Sequence, residues 1–259
     1  MFTTIELTKE GRLARLVLNR PEAMNAMDDR MMKELADAFE ALHNDEEVQV
    51  LIIEGAGRAF SAGGDIKKMV DPDSPMDIAS VMVDVSRLAK ALYSLPQITI
   101  ASIHGAAAGL GCSVALGCDV IVAEESSKLA MNFIGIGLVP DGAGHFFLKE
   151  RVGINTAKQL IWSGEVMAAE KAKALALVDE IVPDGQASGA STALAQKFLN
   201  APIAAMLASK NILHAQKMDE LEKVVAMESE QQVRMRQTED HLEGIQAFIQ
   251  KRKPQFKGK

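Results

Sequence analysis

A chain of 259 residues with 48% hydrophobic and 24% charged side chains can bury a sizeable core, which excludes wholesale disorder. A net charge of −7 repels phosphate backbones and anionic lipid, and 4% aromatics are too few to stack single-stranded bases. Neither nucleic acid nor a membrane is therefore an expected partner. Cys112 and Cys118 offer no disulfide framework and no paired zinc spacing, so no metal site is expected. With the polar N-terminal stretch MFTTIELTKEGR, this composition predicts a reducing, cytoplasmic setting.

In chain order, residues 3–9 and 12–18 alternate apolar and polar around a Glu-Gly turn, the pattern of a β-hairpin. Asp28 or Asp29 caps a helix running to about residue 43, with Met32, Leu35, Phe39 and Leu42 on one stripe. VQVLIIEG (48–55), ITIASI (98–103), DVIVAE (119–124) and LVDEIV (177–182) predict buried strands. Helical patterns at 84–95, 112–118, 155–162 and 168–175 alternate with them, which argues for an α/β core with parallel pairing. Residues 67–80 hold two prolines and clustered charges without a period, and predict a mobile loop. After residue 187 only helical patterns follow, ending in the basic tail KRKPQFKGK. The expected division is a core at 1–187 and a helical region at 188–259. Residues 101–123 carry GxxxG spacing, but the 14 residues between His104 and Asp119 fall short of the roughly 20 that a membrane span needs.

Three segments could carry chemistry. GAGRAFSAGGD (55–65) runs from a buried strand into glycine-rich chain, where a ligand can approach the backbone; it also reads as a plain flexible turn, and no Gly-Lys-Ser/Thr follows to make a phosphate loop. HGAAAGLGCSVALGCD (104–119) leads a strand through small residues into an apolar helix whose first N–H groups lack partners, a place that stabilises negative charge. A dinucleotide fingerprint fails there because position 114 is valine, and a nucleophile elbow around Ser113 fails because its last position is Ala115. In FIGIGLVPDGAGHFF (133–147), Asp141 taken alone reads as a helix cap, and His145 four residues on reads as packing.

Taken together, these segments resemble the crotonase family of enoyl-CoA hydratases and isomerases. The resemblance rests on LNRPEAMNAM (18–27), AFSAGGDIKKM (59–69), the turn and helix ending in GCDVIVA, GIGLVPDGAG (135–144), SGEVMAAEKAKALALVDEIV (163–182) and EGIQAFIQKRKPQF (243–256), and it spans essentially the whole chain. The Asp141 region and the tail look most like ring-epoxide phenylacetyl-CoA isomerases and other double-bond isomerases. The resemblance implies an α/β fold, a spiral of ββα units with a C-terminal helical trimerisation region. It also implies a homotrimer or a hexamer of paired trimers, and an acyl-CoA substrate with no cofactor beyond that coenzyme A. By position it assigns an oxyanion hole to the backbone N–H groups of Ala62 and Leu110. A coenzyme A path falls to Ala62, Gly63, Gly64, Asp65 and Ile66, a substrate wall to Leu110 and Phe133, and a phosphate contact to Lys251. The two glutamates with which hydratases of the family activate water correspond to Ser113 and Phe133, whereas Asp141 falls where several isomerases carry their single acid/base. The resemblance therefore implies an isomerase that moves a double bond through an enolate, with Asp141 as the proton carrier. Hydration of 2-enoyl-CoA and a non-catalytic acyl-CoA-binding oligomer are the alternatives.

Overall fold

The computed structural model describes residues 2–69 and 77–259. Its first elements are the hairpin β1 (Ile5–Glu10) and β2 (Leu13–Leu18), followed by α1 (Asp29–His43), β3 (Val50–Gly55), the short α2 (Ile66–Met69) and α3 (Ile78–Ser94). Then come β4 (Ile98–Ile103), β5 (Ala106–Ala108), α4 (Leu110–Leu116), β6 (Val120–Glu124), β7 (Lys128–Ala130), α5 (Gly144–Ser163), β8 (Val166–Ala168), α6 (Ala169–Ala174) and β9 (Glu180–Val182). Four helices complete the chain: α7 (Ala187–Leu199), α8 (Ile203–Ala215), α9 (Met218–Met235) and α10 (Glu239–Ile249).

Six strands form one sheet in the order β1-β2-β3-β4-β6-β9, antiparallel only at the β1–β2 hairpin. The strand period of two decides which residue faces which layer. Val50, Ile52, Ile98, Ile100 and Val122 point to the face covered by α7 and the start of α8. Their neighbours Leu51, Ile53, Ala101, Ile103 and Ile121 point to the larger core under α1, α3 and α4. Burial on both faces explains why these strands read as continuous apolar runs. Asp28 caps α1 by accepting from Met31 N–H at 2.9 Å, and Asp77 caps α3 by accepting from Ala79 and Ser80.

A second sheet, in the order β5-β7-β8, lies just past the C-terminal end of β4. Ser61 joins it by a bridge to Ala107, donating to Ala106 O and accepting from Ala108 N–H, both at 2.9 Å. The glycine-rich segment after β3 is thereby sewn to the segment that enters α4.

Several expectations shift. The loop expected at 67–80 begins as α2 and ends inside α3; the part at 70–76 lies outside the described residues. The helix expected at 155–162 is the second half of α5, whose path breaks at Gly153, φ 73°. The strand expected at 177–182 pairs only from Glu180, because the Asp179 carboxylate accepts from Ile121 N–H at 2.7 Å. No described helix is long and apolar enough to cross a membrane.

Candidate active site

Two motifs that stand far apart in sequence build one wall of the site. Asn25, fully buried, donates from its amide to Ala56 O and Ala59 O, both at 2.8 Å, and so holds the chain leaving β3. Ser61 Oγ donates back to Asn25 O at 2.8 Å. Arg20 Nη2 pairs with the Asp65 carboxylate at 3.0 Å. The second wall approaches so closely that a Cβ on Gly63, φ 91°, would stand 2.7 Å from Ala108 O. Only glycine fits there.

These constraints decide which backbone N–H groups are free. Ala62 N–H donates to Met24 O at 2.9 Å, so the expected donor is already occupied. The expectation for Ala62 is therefore corrected: Gly64, two residues on, has an N–H with no partner among the described residues and lines the cavity. Leu110, the first residue of α4, also lines the cavity, and its N–H likewise has no acceptor among the described residues. Sequence alone could not separate Ala62 from Gly64, since a main-chain donor is chosen by pairing and not by side chain.

Between these walls, helices α1 and α3 and the chain at 132–138 lies a cavity of about 340 Å³. Met32, Val81, Met82, Val85, Phe133 and Leu138 make it largely apolar. Of the residues expected at the ligand, Ala62, Gly63, Gly64, Ile66, Leu110, Phe133 and Asp141 line this cavity. Asp65 does not, because its carboxylate is turned to Arg20. Lys251 stands exposed outside it, at the end of α10.

Asp141 is the one carboxylate among the described lining residues. It caps nothing: its Oδ1 is buried without a partner among the described residues, and the cap position of α5 falls to Ala143. Burial, reinforced by the Glu228 carboxylate and opposed by Arg236, pushes its pKa up to about 7. The loop that presents it turns through two left-handed residues, Gly142 (φ 64°) and Ala143 (φ 62°). Such a turn persists only when its surroundings hold it. Ser113 Oγ donates to Asp141 O at 2.8 Å, so this serine serves as a brace for the loop.

Helix α9 supplies the rest of the support. Buried Glu228 accepts from Ala143 N–H at 2.8 Å and from His145 N–H at 3.0 Å, and its Oε1 lies 2.7 Å from His145 Nδ1. Gln232, one turn on, donates to Val139 O at 2.5 Å. Arg236, a further turn on, reaches the cavity itself. None of the three stands out in the sequence as a site residue. A signal exists nonetheless: Glu228 and Gln232 continue the buried stripe of Leu221 and Val225 at helical spacing, with half-buried Arg236 a turn beyond, so polar groups occupy positions that should be apolar.

The geometry offers two free main-chain donors, one titratable carboxylate near neutrality and an apolar chamber. Such a set can stabilise an oxyanion and move a proton. The family model for enoyl-CoA hydratase/isomerase matches residues 8–259. YhaR of Bacillus subtilis strain 168, whose name carries both activities, is 42% identical over 97% of this chain and 98% of its own. The 1,2-epoxyphenylacetyl-CoA isomerase of Escherichia coli K12 is 32% identical over 94% of each. Among solved structures, an enoyl-CoA hydratase from Mycobacterium avium subsp. paratuberculosis K-10 superposes with a TM-score of 0.90 at 30% identity, over 99% of this chain and 100% of that one.

Proposed function

The chain belongs to the enoyl-CoA hydratase/isomerase family, and we propose that within it this enzyme is an isomerase, moving a double bond of an acyl-CoA thioester from C3 to C2 or effecting a related ring isomerisation. The observation that carries the reading is that Asp141 is the single carboxylate among the described lining residues of the cavity. Activating water as the hydratases do takes a pair; Ser113 here braces a carbonyl and Phe133 is a dry wall.

The thioester carbonyl oxygen accepts from the N–H groups of Gly64 and Leu110. Asp141, in its ionised form, removes a proton from C2, and the negative charge moves to that oxygen as a dienolate. The same carboxyl returns the proton to C4, two carbons along one face, and C2=C3 replaces C3=C4. Two fixed donors matter because a thioester α-proton is weakly acidic; losing one such donor costs about 3 kcal/mol of barrier. An apolar chamber raises the basicity of Asp141 and excludes competing water. The exposed apolar side chains Ile212, Leu213, Leu242, Phe248 and Ile249 on the C-terminal helices support assembly as a homotrimer or a pair of trimers.

Incubation with 3-enoyl-CoA tests the reaction. Wild type raises the absorbance of the conjugated thioester, and Asp141→Asn loses roughly a hundredfold to ten-thousandfold of that rate. Equal turnover by both removes Asp141 from the mechanism. Faster conversion of 2-enoyl-CoA to a 3-hydroxy product would favour hydration instead.

A further inference from the structure

If an acyl-CoA thioester fills the cavity, as proposed above, one cation in its wall has no oxygen to hold among the described residues. Arg236, which closes α9, lines the chamber together with Met69, Val81 and Met82. Among the described residues its Nη2 donates only to the thioether sulfur of Met69, at 3.7 Å, a weak acceptor. Its Nε is buried and has no partner among the described residues. Nε–H and the neighbouring Nη2–H form the side-on edge of a guanidinium, two parallel donors spaced for the two oxygens of a carboxylate. Among the described residues that edge meets no oxygen. Asp141 feels its charge but makes no hydrogen bond or ion pair with it, and Asp141 Oδ1 is itself without a partner.

Burial opposes the charge on Arg236, and an apolar lining of methionine and valine compensates little of that cost. A neutral oxygen in the ligand would offset less of it than an anion. Distance adds a second constraint. Met69 touches Arg236 with its sulfur, and its Cε lies 2.7 Å from where a Cβ of Gly64 would stand. A single methionine side chain therefore separates the guanidinium from the Gly64 backbone, within reach of a short acyl chain.

We infer that the cavity selects acyl groups bearing a carboxylate beyond the reacting carbons, the CoA monothioesters of short dicarboxylic acids, and that Arg236 pairs with this carboxylate through its guanidinium. Arg236 then determines specificity and leaves proton transfer to Asp141.

Binding of saturated thioesters tests the inference apart from the chemistry, because they can be neither isomerised nor hydrated. Calorimetric titration of wild type compares adipyl-CoA with hexanoyl-CoA, and with the methyl ester of adipyl-CoA as a neutral control of similar size. The expected preference for adipyl-CoA over both is about tenfold to a hundredfold. Arg236→Met brings the three affinities together, and Arg236→Lys, with a charge but no fork, keeps part of the preference. Equal or weaker binding of adipyl-CoA to wild type overturns the inference, as does a preference that survives in Arg236→Met. Methyl ester binding as tight as that of the acid also overturns it. Hexanoyl-CoA affinity reports whether Arg236→Met is folded; if it binds neither ligand, the wild-type comparison of acid and ester decides. A preference found in an enzyme that fails to isomerise 3-enoyl-CoA would sink the isomerase reading alone. Failure of every thioester to bind would sink both.

Discussion

Asp141 is a group whose folded pKa of about 7 stands above the ordinary aspartate value of 3.8, with burial as the first cause. The native state therefore holds its proton more tightly than the unfolded chain, and stability is lost as pH rises from about 4 through 7. Asp141→Asn removes that loss. Thermal melts are expected to show the variant several degrees more stable at pH 8, the gap closing towards pH 4; the free energy at stake is at most about 4 kcal/mol. A gap unchanged across that range would mean that Asp141 does not titrate there. Under the proposed mechanism catalysis runs the other way, because removing a proton from C2 requires the carboxylate. The rate should rise with pH through about 7, and Glu228→Gln should move that rise to lower pH, since Glu228 pushes the Asp141 pKa up. An unshifted profile in Glu228→Gln would separate Glu228 from the acid/base chemistry. At this scale the sequence is only partly legible. Asp141 can be singled out because one carboxylate stands where two others are missing. Glu228 and Arg236 cannot, since the loop they act on lies far back in the chain: Glu228 and the Ala143 N–H it holds are 85 positions apart.

Elements carry the site by their ends and not by their middles. The two free N–H groups stand where the chain after β3 and the first turn of α4 meet, and Gly63 makes that meeting possible. Gly63→Ala would force a side chain into left-handed backbone and against Ala108 O. A stability loss of roughly 1–3 kcal/mol is expected, together with a fall in kcat from a displaced Gly64 N–H. Unchanged melting and turnover would show that the two walls can part freely. The long apolar strands and α1 are legible because period and caps agree, as with Asp28 and the stripe from Met32 to Leu42. β5, β7 and β8 are not, since AAA, KLA and VMA are three residues each and too short to show alternation. The register that engages Ala62 and leaves Gly64 free is just as short-ranged, set by the Ala62 N–H bond to Met24 O and the isolated bridge from Met27 to Gly64.

At the scale of the whole molecule, α9 connects the C-terminal helices to the chemistry. Its buried face holds the Asp141 loop through Glu228 and Gln232, while Met227 on the same helix is exposed. Phe248 of α10 both lines the cavity and remains largely exposed, so packing of another subunit there would complete the wall. Native mass spectrometry is expected to find trimers or hexamers, and Ile249→Asp to shift them to smaller species with a raised KM. A wild-type monomer of full activity would contradict that assembly. The measurement that bears most directly on the central claim is proton exchange in deuterated water, followed by NMR on 3-enoyl-CoA. Wild type should introduce deuterium at C2 and C4 of the thioester, entering when the Asp141 carboxyl exchanges its proton with solvent while the dienolate is held, and Asp141→Asn, folded and still binding CoA thioesters, should introduce none above the uncatalysed rate. Deuterium entering at the wild-type rate in Asp141→Asn would contradict the account.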